Sequence, residues 1–248
     1  MMASALFRFY EELNDFLPLN QRKTDIELTF APPAPVKHLI ETIGIPHTEV
    51  EVILINGESV GLNRLVADGD RVSVYPMFES LDISPLLKIR EQPLRNSRFV
   101  ADAHLGKLSR YLRMLGFDTL YANDLGDRAL AQLSAEQLRI LLTSDRALLM
   151  HRIVTHGVYI RKGAPLQQLE KLICRLGLLG SIRPFSRCMR CNGELHAVAK
   201  SAIEDALQAD TRRVFNEFRQ CQDCGQIYWK GSHYQRMQQI IEGFRSDE

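Results

Sequence analysis

Hydrophobic positions in residues 5–78 recur at strand spacing, then at helical spacing, then at strand spacing again. Polar and apolar side chains alternate over residues 25–30, which predicts a strand, and further strands are predicted over 6–10, 50–55 and 72–75. A helix is predicted over 36–43, where apolar residues keep helical spacing up to Gly44. The order strand, strand, helix, strand, strand indicates a small α+β domain.

Residues 98–182 alternate short apolar runs with amphipathic segments. Strands are predicted over 99–101, 118–121, 139–143 and 158–160. Helices are predicted over 105–115, 128–138, from Asp145 onward, and over 165–176. Because strand and helix alternate throughout, this segment is predicted to form a parallel α/β sheet with helical crossovers.

An aspartate follows each of the first three strands of this segment: Asp102, Asp124 and Asp145. Ligands of an open parallel sheet bind beyond the carboxyl ends of the strands, so we expect these side chains to lie close together. Asp127 joins them if it begins a helical turn. Clustered carboxylates repel one another unless a cation lies between them, and Mg²⁺ or Mn²⁺ prefers such oxygen ligands. This chemistry suits the hydrolysis of a phosphodiester bond.

Each aspartate also has a structural interpretation. Asp145 follows Ser144 and suits a helix N-cap, while Asp124 follows an asparagine and suits a turn. Asp127 suits the first turn of a helix, where the helix dipole favours an acid. The pattern alone leaves these alternatives open.

Basic residues accompany the predicted acidic site. Residues 98–182 contain 12 Lys and Arg against 7 Asp and Glu, a net charge of +5, which suits a polyanionic substrate. On the first helix of this segment, Lys107 and Arg110 are predicted to position phosphates. Arg146 is predicted to neutralise charge that develops in the reaction. The alternative for such residues is a solvated helix face, which we favour for Arg113.

Two C-x-x-C pairs stand near the C-terminal end: Cys188, Cys191, Cys221 and Cys224. Four thiolates in this spacing can close a tetrahedron around one Zn²⁺. Four such ligands leave no open coordination position, so the predicted zinc is structural. Residues 183–248 are therefore predicted to form a zinc ribbon, with a helix over 202–209 between the two pairs.

Aromatic and basic residues follow the second pair closely: Trp229, Lys230, His233, Tyr234 and Arg236. Such interleaving suits stacking on unpaired RNA bases. The alternative is that Trp229 and Tyr228 fill the core of a small ribbon.

Composition favours a reducing compartment. No run of about 18 apolar residues is present, so no transmembrane helix is predicted, and the N-terminal residues lack the pattern of a signal peptide. Four of the five cysteines stand in metal-ligand spacing, which indicates a cytoplasmic protein rather than a disulfide scaffold. The fifth, Cys174, lies in an apolar helical stretch and is expected to be buried.

The N-terminal segment resembles the β-grasp fold of ubiquitin-like proteins. The stretch ILINGESVGLNRLVADGDRVSVYPMF is similar to the sulfur-carrier small subunits of thiamine and molybdopterin synthesis. Those carriers end in Gly-Gly, whereas here the last predicted strand continues into Glu79-Ser80-Leu81. We therefore expect a β-grasp domain over 1–80 that docks a protein partner or acts as a scaffold, joined by a linker over 81–97.

The remaining segments resemble the Mut-seven C-terminal ribonuclease family, a PIN-like nuclease fused to a zinc ribbon. The resemblance runs through FVADAHLGKLSRYLRMLGFDTLY, ILLTSDRALL, PFSRCMRCNGEL and CQDCGQIYWKGSHYQRM. It covers about residues 98–244 and implies a PIN-like α/β domain over 98–182 and the zinc ribbon over 183–248. One departure is Ser144, where an arginine is common in the family.

The resemblance implies a metal-dependent ribonuclease. The family's acidic positions fall on Asp102, Asp124 and Asp145, with Asp127 beside them. Its substrate is RNA, and its catalytic cofactor is Mg²⁺ or Mn²⁺. The alternative is a non-catalytic RNA-binding or adaptor protein that uses the zinc ribbon and the β-grasp domain.

Overall fold

The computed structural model of the chain describes residues 1–76 and 97–246. The predicted linker over 81–97 lies outside the described residues except for its last position. The described chain divides into two compact units. The first unit contains residues 1–76 and 125–161, and the second contains 97–124 and 162–246.

A mixed sheet of five strands builds the N-terminal part of the first unit. Its strands are β1 (Ala3–Phe9), β2 (Ile26–Phe30), β4 (Val52–Ile55), β5 (Glu58–Val60) and β7 (Arg71–Tyr75), in the order β2-β1-β7-β4-β5. The central strands β1 and β7 are parallel, and the other pairs are antiparallel. A short ladder joins β3 (Ala34–Pro35) and β6 (Leu65–Val66). This sheet confirms the predicted β-grasp fold.

Helix α1 (Val36–Ile43) shares its hydrophobic core with this sheet. Alternate residues of β1 are buried, as expected for a strand with one face on a core. The helix contributes Val36, Leu39 and Ile40, which recur at helical spacing. It ends at Gly44, whose φ of +104° is a left-handed conformation that glycine adopts without strain.

The first unit also contains half of the predicted α/β segment. Its elements are α3 (Asp127–Glu136), β10 (Ile140–Thr143), α4 (Arg146–Leu149) and β11 (Gly157–Tyr159). β10 and β11 pair in parallel, and every residue of β10 is buried. The helix predicted from Asp145 is only one turn long.

The second unit contains the other half of that segment. β8 (Phe99–Ala101) pairs in parallel with β9 (Thr119–Tyr121), and α2 (Gly106–Met114) connects them. α5 (Pro165–Arg175) packs against α2, and the leucine stripe of α2 is buried. The parallel strand pairs and their helical crossovers confirm the predicted α/β class. Cys174 is exposed, so its predicted burial is wrong; it lies next to the buried face of α5, which Leu172 and Ile173 supply.

An antiparallel sheet of order β12-β13-β14 forms the C-terminal part of the second unit. Its elements are β12 (Leu195–Val198), α6 (Lys200–Ile203), α7 (Ala209–Val214), β13 (Phe218–Cys221), β14 (Ile227–Trp229) and α8 (Ser232–Ser246). The single helix predicted over 202–209 is wrong. The backbone is extended at Leu207, between α6 and α7. The Leu207 side chain packs with Ile203 and Phe218.

Candidate metal centre and nuclease site

The four predicted zinc ligands come together in the second unit. Cys188, Cys191, Cys221 and Cys224 place their sulfurs within 4.8 Å of one another. Cys188 Sγ lies 3.6 Å from Cys224 Sγ, and Cys191 Sγ lies 3.4 Å from Cys221 Sγ. A tetrahedral Zn²⁺ with Zn–S bonds of about 2.3 Å spaces its sulfurs about 3.8 Å apart. The cluster therefore fits a metal ion, and zinc is the ion that four thiolates prefer.

Three of these thiols differ in pKa when no metal is bound. Burial raises the pKa of Cys188, but hydrogen bonds from Tyr228 and from backbone N–H groups outweigh it and lower this pKa to about 7. Burial raises the pKa of Cys191 to about 12, and it raises that of Cys224 as well. Of these three thiols, Cys188 therefore loses its proton most readily.

The first cysteine pair is fastened to the nuclease part of the second unit by Arg113. This side chain donates from Nε to Thr119 O at 2.8 Å and from Nη1 to Met189 O and Arg190 O at 3.3 and 3.0 Å. Arg113 is only 5% exposed. Its expected place on a solvated helix face is therefore wrong, because three backbone carbonyls compensate for the burial of its charge.

Asn192 makes a second connection between the same parts. Its Oδ1 accepts a hydrogen bond from Thr119 N at 2.8 Å, and its Nδ2 donates to Asp118 Oδ1 at 2.7 Å. Asn192 is buried and has a φ of +74°, a conformation that asparagine tolerates better than most residues. It stands between Cys191 and Gly193. Its hydrogen bonds therefore connect the loop of the first cysteine pair to the start of β9.

Asp102 lies directly after β8, as predicted, and its side chain is 15% exposed. Its Oδ1 accepts from His104 N at 3.4 Å and lies 3.3 Å from His104 Nδ1. It thereby caps the short 3₁₀ helix that precedes α2. His104 itself is largely exposed.

A basic pocket of about 480 Å³ in the second unit is lined by His104, the partner of Asp102. Its lining includes His104, Lys107, Arg110 and Tyr121. The structure thus brings both predicted phosphate-contacting residues to one pocket. Gly106 leaves room for the phenol of Tyr121, because a Cβ at this glycine would lie 2.8 Å from Tyr121 Oη.

The other three aspartates are exposed. Asp124 follows β9 in the second unit, whereas Asp127 and Asp145 belong to the first unit. Asp127 begins α3, and Asp145 caps α4 by accepting from Ala147 N at 2.7 Å. The structural roles considered for Asp127 and Asp145 are thus present, and the convergence of the aspartates on one cation stays a prediction.

Arg146 contacts the β-grasp part of its own unit. Its guanidinium lies 5.0 Å from the ring centroid of Phe16 and 5.5 Å from that of Tyr159. Its Nη1 donates to Phe16 O at 3.2 Å. These contacts give Arg146 a packing role, and its predicted role in the reaction stays a prediction.

Ser144 donates from Oγ to Ile160 O at 2.6 Å. It therefore fastens the end of β10 to the residue that follows β11. The roles of Ser144, Asn192 and Tyr121 were missed by sequence reasoning. Each depends on a partner between 16 and 73 residues away, and hydrophobic periodicity carries no signal for such pairs.

Family comparisons identify both parts of the chain. Residues 97–241 match the model of the Mut7-C RNAse domain, and residues 2–82 match that of the Mut7-C ubiquitin family. No curated protein matches the chain. In the described residues, no helix is both long and apolar enough to cross a membrane.

Three solved structures from Haloferax volcanii match about a third of the chain. The solution structure of the HVO 2177 protein is 19% identical and covers 32% of this chain and 88% of that one, with a TM-score of 0.27. Two crystal structures of small archaeal modifier protein 1 are 15% identical, with TM-scores of 0.25. They cover 31% and 32% of this chain and 99% and 100% of their own. TM-scores this low carry no functional information.

The RNAse-domain match includes Asp102, Asp124, Asp127, Asp145 and all four ribbon cysteines. It spans more than half of the chain's 248 residues. The protein therefore belongs to the Mut7-C RNAse domain family, with a Mut7-C ubiquitin-like domain preceding the nuclease, which confirms the predicted resemblance.

Proposed function

We propose that the protein is a metal-dependent ribonuclease that hydrolyses phosphodiester bonds within RNA. One observation carries the proposal: Asp102 directly follows a parallel strand inside the RNAse-domain match, and its partner His104 lines a pocket together with Lys107 and Arg110. An acid that can hold a cation is thus linked through His104 to a pocket with two cations that can hold phosphates. This pairing suits a polyanionic substrate better than a neutral one.

The proposed ligands of the catalytic ion are Asp102, Asp124 and Asp145, with Asp127 as a further acid. Their carboxylate oxygens are the hard donors that Mg²⁺ and Mn²⁺ prefer. When bound there, such an ion neutralises charge on the phosphate and lowers the pKa of a bound water.

The chain's own residues position the RNA. Lys107 and Arg110 are exposed at the pocket, so they can reach phosphate oxygens. Tyr121 Oη donates to Ala103 O at 2.9 Å, which fixes its ring in the pocket wall. His104 lies against the Asp102 carboxylate and restrains its orientation.

Asp102→Asn tests this proposal, because asparagine caps a helix about as well as aspartate and the fold is therefore retained. Partners that only orient metal ligands are worth about 10- to 100-fold, so loss of a direct ligand is expected to cost more than about a hundredfold in cleavage. The measurement is Mn²⁺-dependent cleavage of a circular single-stranded RNA, which only an internal cut can open. Asp210→Asn is the matched control, since Asp210 is an exposed acid in the first turn of α7.

An unsubstituted protein that leaves the circle intact in both Mg²⁺ and Mn²⁺ would contradict the proposal. Equal cleavage by Asp102→Asn and Asp210→Asn would contradict the role of Asp102 alone. In that case the metal ligands must be sought among the other aspartates.

A non-catalytic RNA-binding or adaptor protein is the second candidate. It is favoured by the capping hydrogen bonds of Asp102 and Asp145, which account for these acids without catalysis. This candidate predicts RNA binding that needs no Mg²⁺ or Mn²⁺ and leaves the RNA uncut.

A further inference from the structure

The ribbon contains an aromatic pocket of about 440 Å³, defined here by Phe185, Phe218, Trp229 and Tyr234 in its lining. Its volume falls within the range of about 300–1,000 Å³ that is typical of small-ligand sites. Trp229 is 39% exposed although it is large and apolar. Its indole packs against Gly231, where a Cβ would lie 2.8 Å from Nε1.

One wall of the aromatic pocket is held in an unfavourable backbone conformation. Phe185 has a φ of +57°, a strained conformation that is uncommon for a bulky residue. Its ring stacks on Tyr234 with a centroid distance of 4.3 Å and an interplanar angle of 28°. Two hydrogen bonds hold the backbone of Phe185: its N donates to Met114 O, and its O accepts from Arg219 Nη1. Residues kept in such conformations cluster at ligand sites.

Two cations and one acid line the same pocket: Arg219, Lys230 and Glu217. Lys230 Nζ lies 2.6 Å from Glu217 Oε2, and both side chains are largely exposed. A ligand that carries negative charge beside a planar apolar group would meet the aromatic rings and the cations together. Glu217 opposes such a ligand by repulsion and by holding Lys230.

We infer that the aromatic pocket binds an unpaired base of single-stranded RNA, with the adjoining phosphates at Arg219 and Lys230. The inference rests on the proposed RNA substrate and adds a base-binding subsite to it. A nucleotide supplies both features that the lining selects, since bases stack on aromatic rings and phosphates pair with basic side chains. An apolar peptide would contact the rings but offer no negative charge to Arg219 and Lys230.

The pocket belongs to the same compact unit as Asp102 and the basic pocket. Phe185 N bonds to the end of α2, the helix that carries Lys107 and Arg110. The side chains of His233 and Arg236 lie outside what the structure describes.

Fluorescence of the full chain tests the inference directly, because Trp229 is the one tryptophan in the sequence. Zinc-loaded Asp102→Asn protein is titrated with a short single-stranded RNA without added Mg²⁺ or Mn²⁺, so that no cleavage interferes. We expect the RNA to quench Trp229. An abasic strand of equal length and charge should leave the fluorescence unchanged. Absent quenching by RNA, or equal quenching by the abasic strand, overturns the inference.

Substitutions in the same background separate stacking from charge. Trp229→Leu is expected to weaken binding of labelled RNA about 5- to 150-fold, the range to which a stacking energy of ~1–3 kcal/mol per base corresponds. Val214→Ala is the matched control, because Val214 is 60% exposed in the same ribbon and does not line the pocket. Equal affinities of these two variants would overturn the inference.

Glu217→Gln is expected to act in the opposite direction. It releases Lys230 and removes a repulsive charge, so RNA should bind about two- to fivefold more tightly. Glu217 is exposed, so this variant folds even if Trp229→Leu does not. Unchanged or weaker binding would count against a phosphate at Lys230.

These measurements remain distinct from the test of nuclease activity. Cleavage without quenching of Trp229 overturns the base subsite and leaves the proposed function in place. Quenching without cleavage in the unsubstituted protein supports the subsite and overturns the proposed function.

Discussion

Gly116 shows how a single residue decides whether two segments can meet. It follows α2 with a φ of +95°, and an added Cβ would overlap the carbonyl oxygen of Arg183. That carbonyl belongs to the segment that leads into the first cysteine pair. Arg183 N also donates to Leu115 O at 2.8 Å, so the two backbones are in direct contact beside the glycine.

Gly116→Ala is therefore expected to destabilise the protein more than Gly177→Ala. Gly177 also has a positive φ, of +56°, but nothing lies within 4 Å of its added Cβ. The control pays only the left-handed conformation, about 1–2 kcal/mol, whereas Gly116→Ala must also displace a backbone carbonyl. Thermal unfolding midpoints of the zinc-loaded variants measure the difference. Equal midpoints would show that the backbone around Arg183 can move away from the added Cβ without loss of stability.

Elements with strong periodicity follow from the sequence, and elements shaped by distant contacts do not. The leucine spacing in α2 and the alternation in β1 show which face of each element is buried. The hydrophobic pattern is therefore enough to predict these two elements. α4 stops after one turn, and the helix predicted over 202–209 divides at Leu207. Burial of Leu207 against Phe218 overrides helix propensity there.

The residues of the candidate sites also differ in whether a local sequence pattern predicts them. C-x-x-C spacing predicts the zinc ligands, because ligands close in sequence are close in space. The burial of Arg113 depends on carbonyls 76 and 77 residues away, which no local pattern reveals. The aspartates lie between these cases, since their positions after strands are local but their convergence requires the tertiary fold.

The three ribbon strands depend on the cysteine cluster for stability. The buried residues of this cluster are Cys188, Cys221 and Leu195, and a second small cluster contains Ile203, Leu207 and Phe218. Cores of this size commonly need a bound metal to hold their strands. We expect one zinc per chain by elemental analysis. Cys188→Ser should lose that zinc and the ribbon's protection from amide exchange. Cys174→Ser is the matched control, since Cys174 is exposed and stands outside the cluster. Full zinc content in Cys188→Ser would refute a four-thiolate site.

At the scale of the whole molecule, the β-grasp sheet is part of a unit that also contains β10 and β11. Glu49 Oε1 accepts from Tyr159 N at 2.5 Å, and His47 Nε2 lies 2.9 Å from Val154 O. Glu49 and His47 are 2% and 5% exposed. The N-terminal domain therefore supplies buried hydrogen-bond partners to nuclease strands.

Glu49→Ala is expected to expose this dependence. It removes the acceptor of Tyr159 N–H, and a buried donor without a partner costs about 1–3 kcal/mol. Amide exchange at β11 should accelerate about 5- to 150-fold, the range to which that cost corresponds. Glu58→Ala on exposed β5 is the matched control and should leave β11 unchanged. Unaltered exchange at β11 in Glu49→Ala would mean that Tyr159 N–H has another acceptor.

The contacts of the β-grasp part with β11 and Arg146 have a consequence for how the two segments can evolve. A domain attached only through a tether can be exchanged by recombination for an unrelated one at little cost. Here such an exchange would remove an aromatic neighbour of Arg146 and the acceptor of Tyr159 N–H, so we expect the two segments to be inherited together. We expect genes that encode this type of nuclease strand pair to retain the ubiquitin-like segment, or to replace these two partners when they lose it.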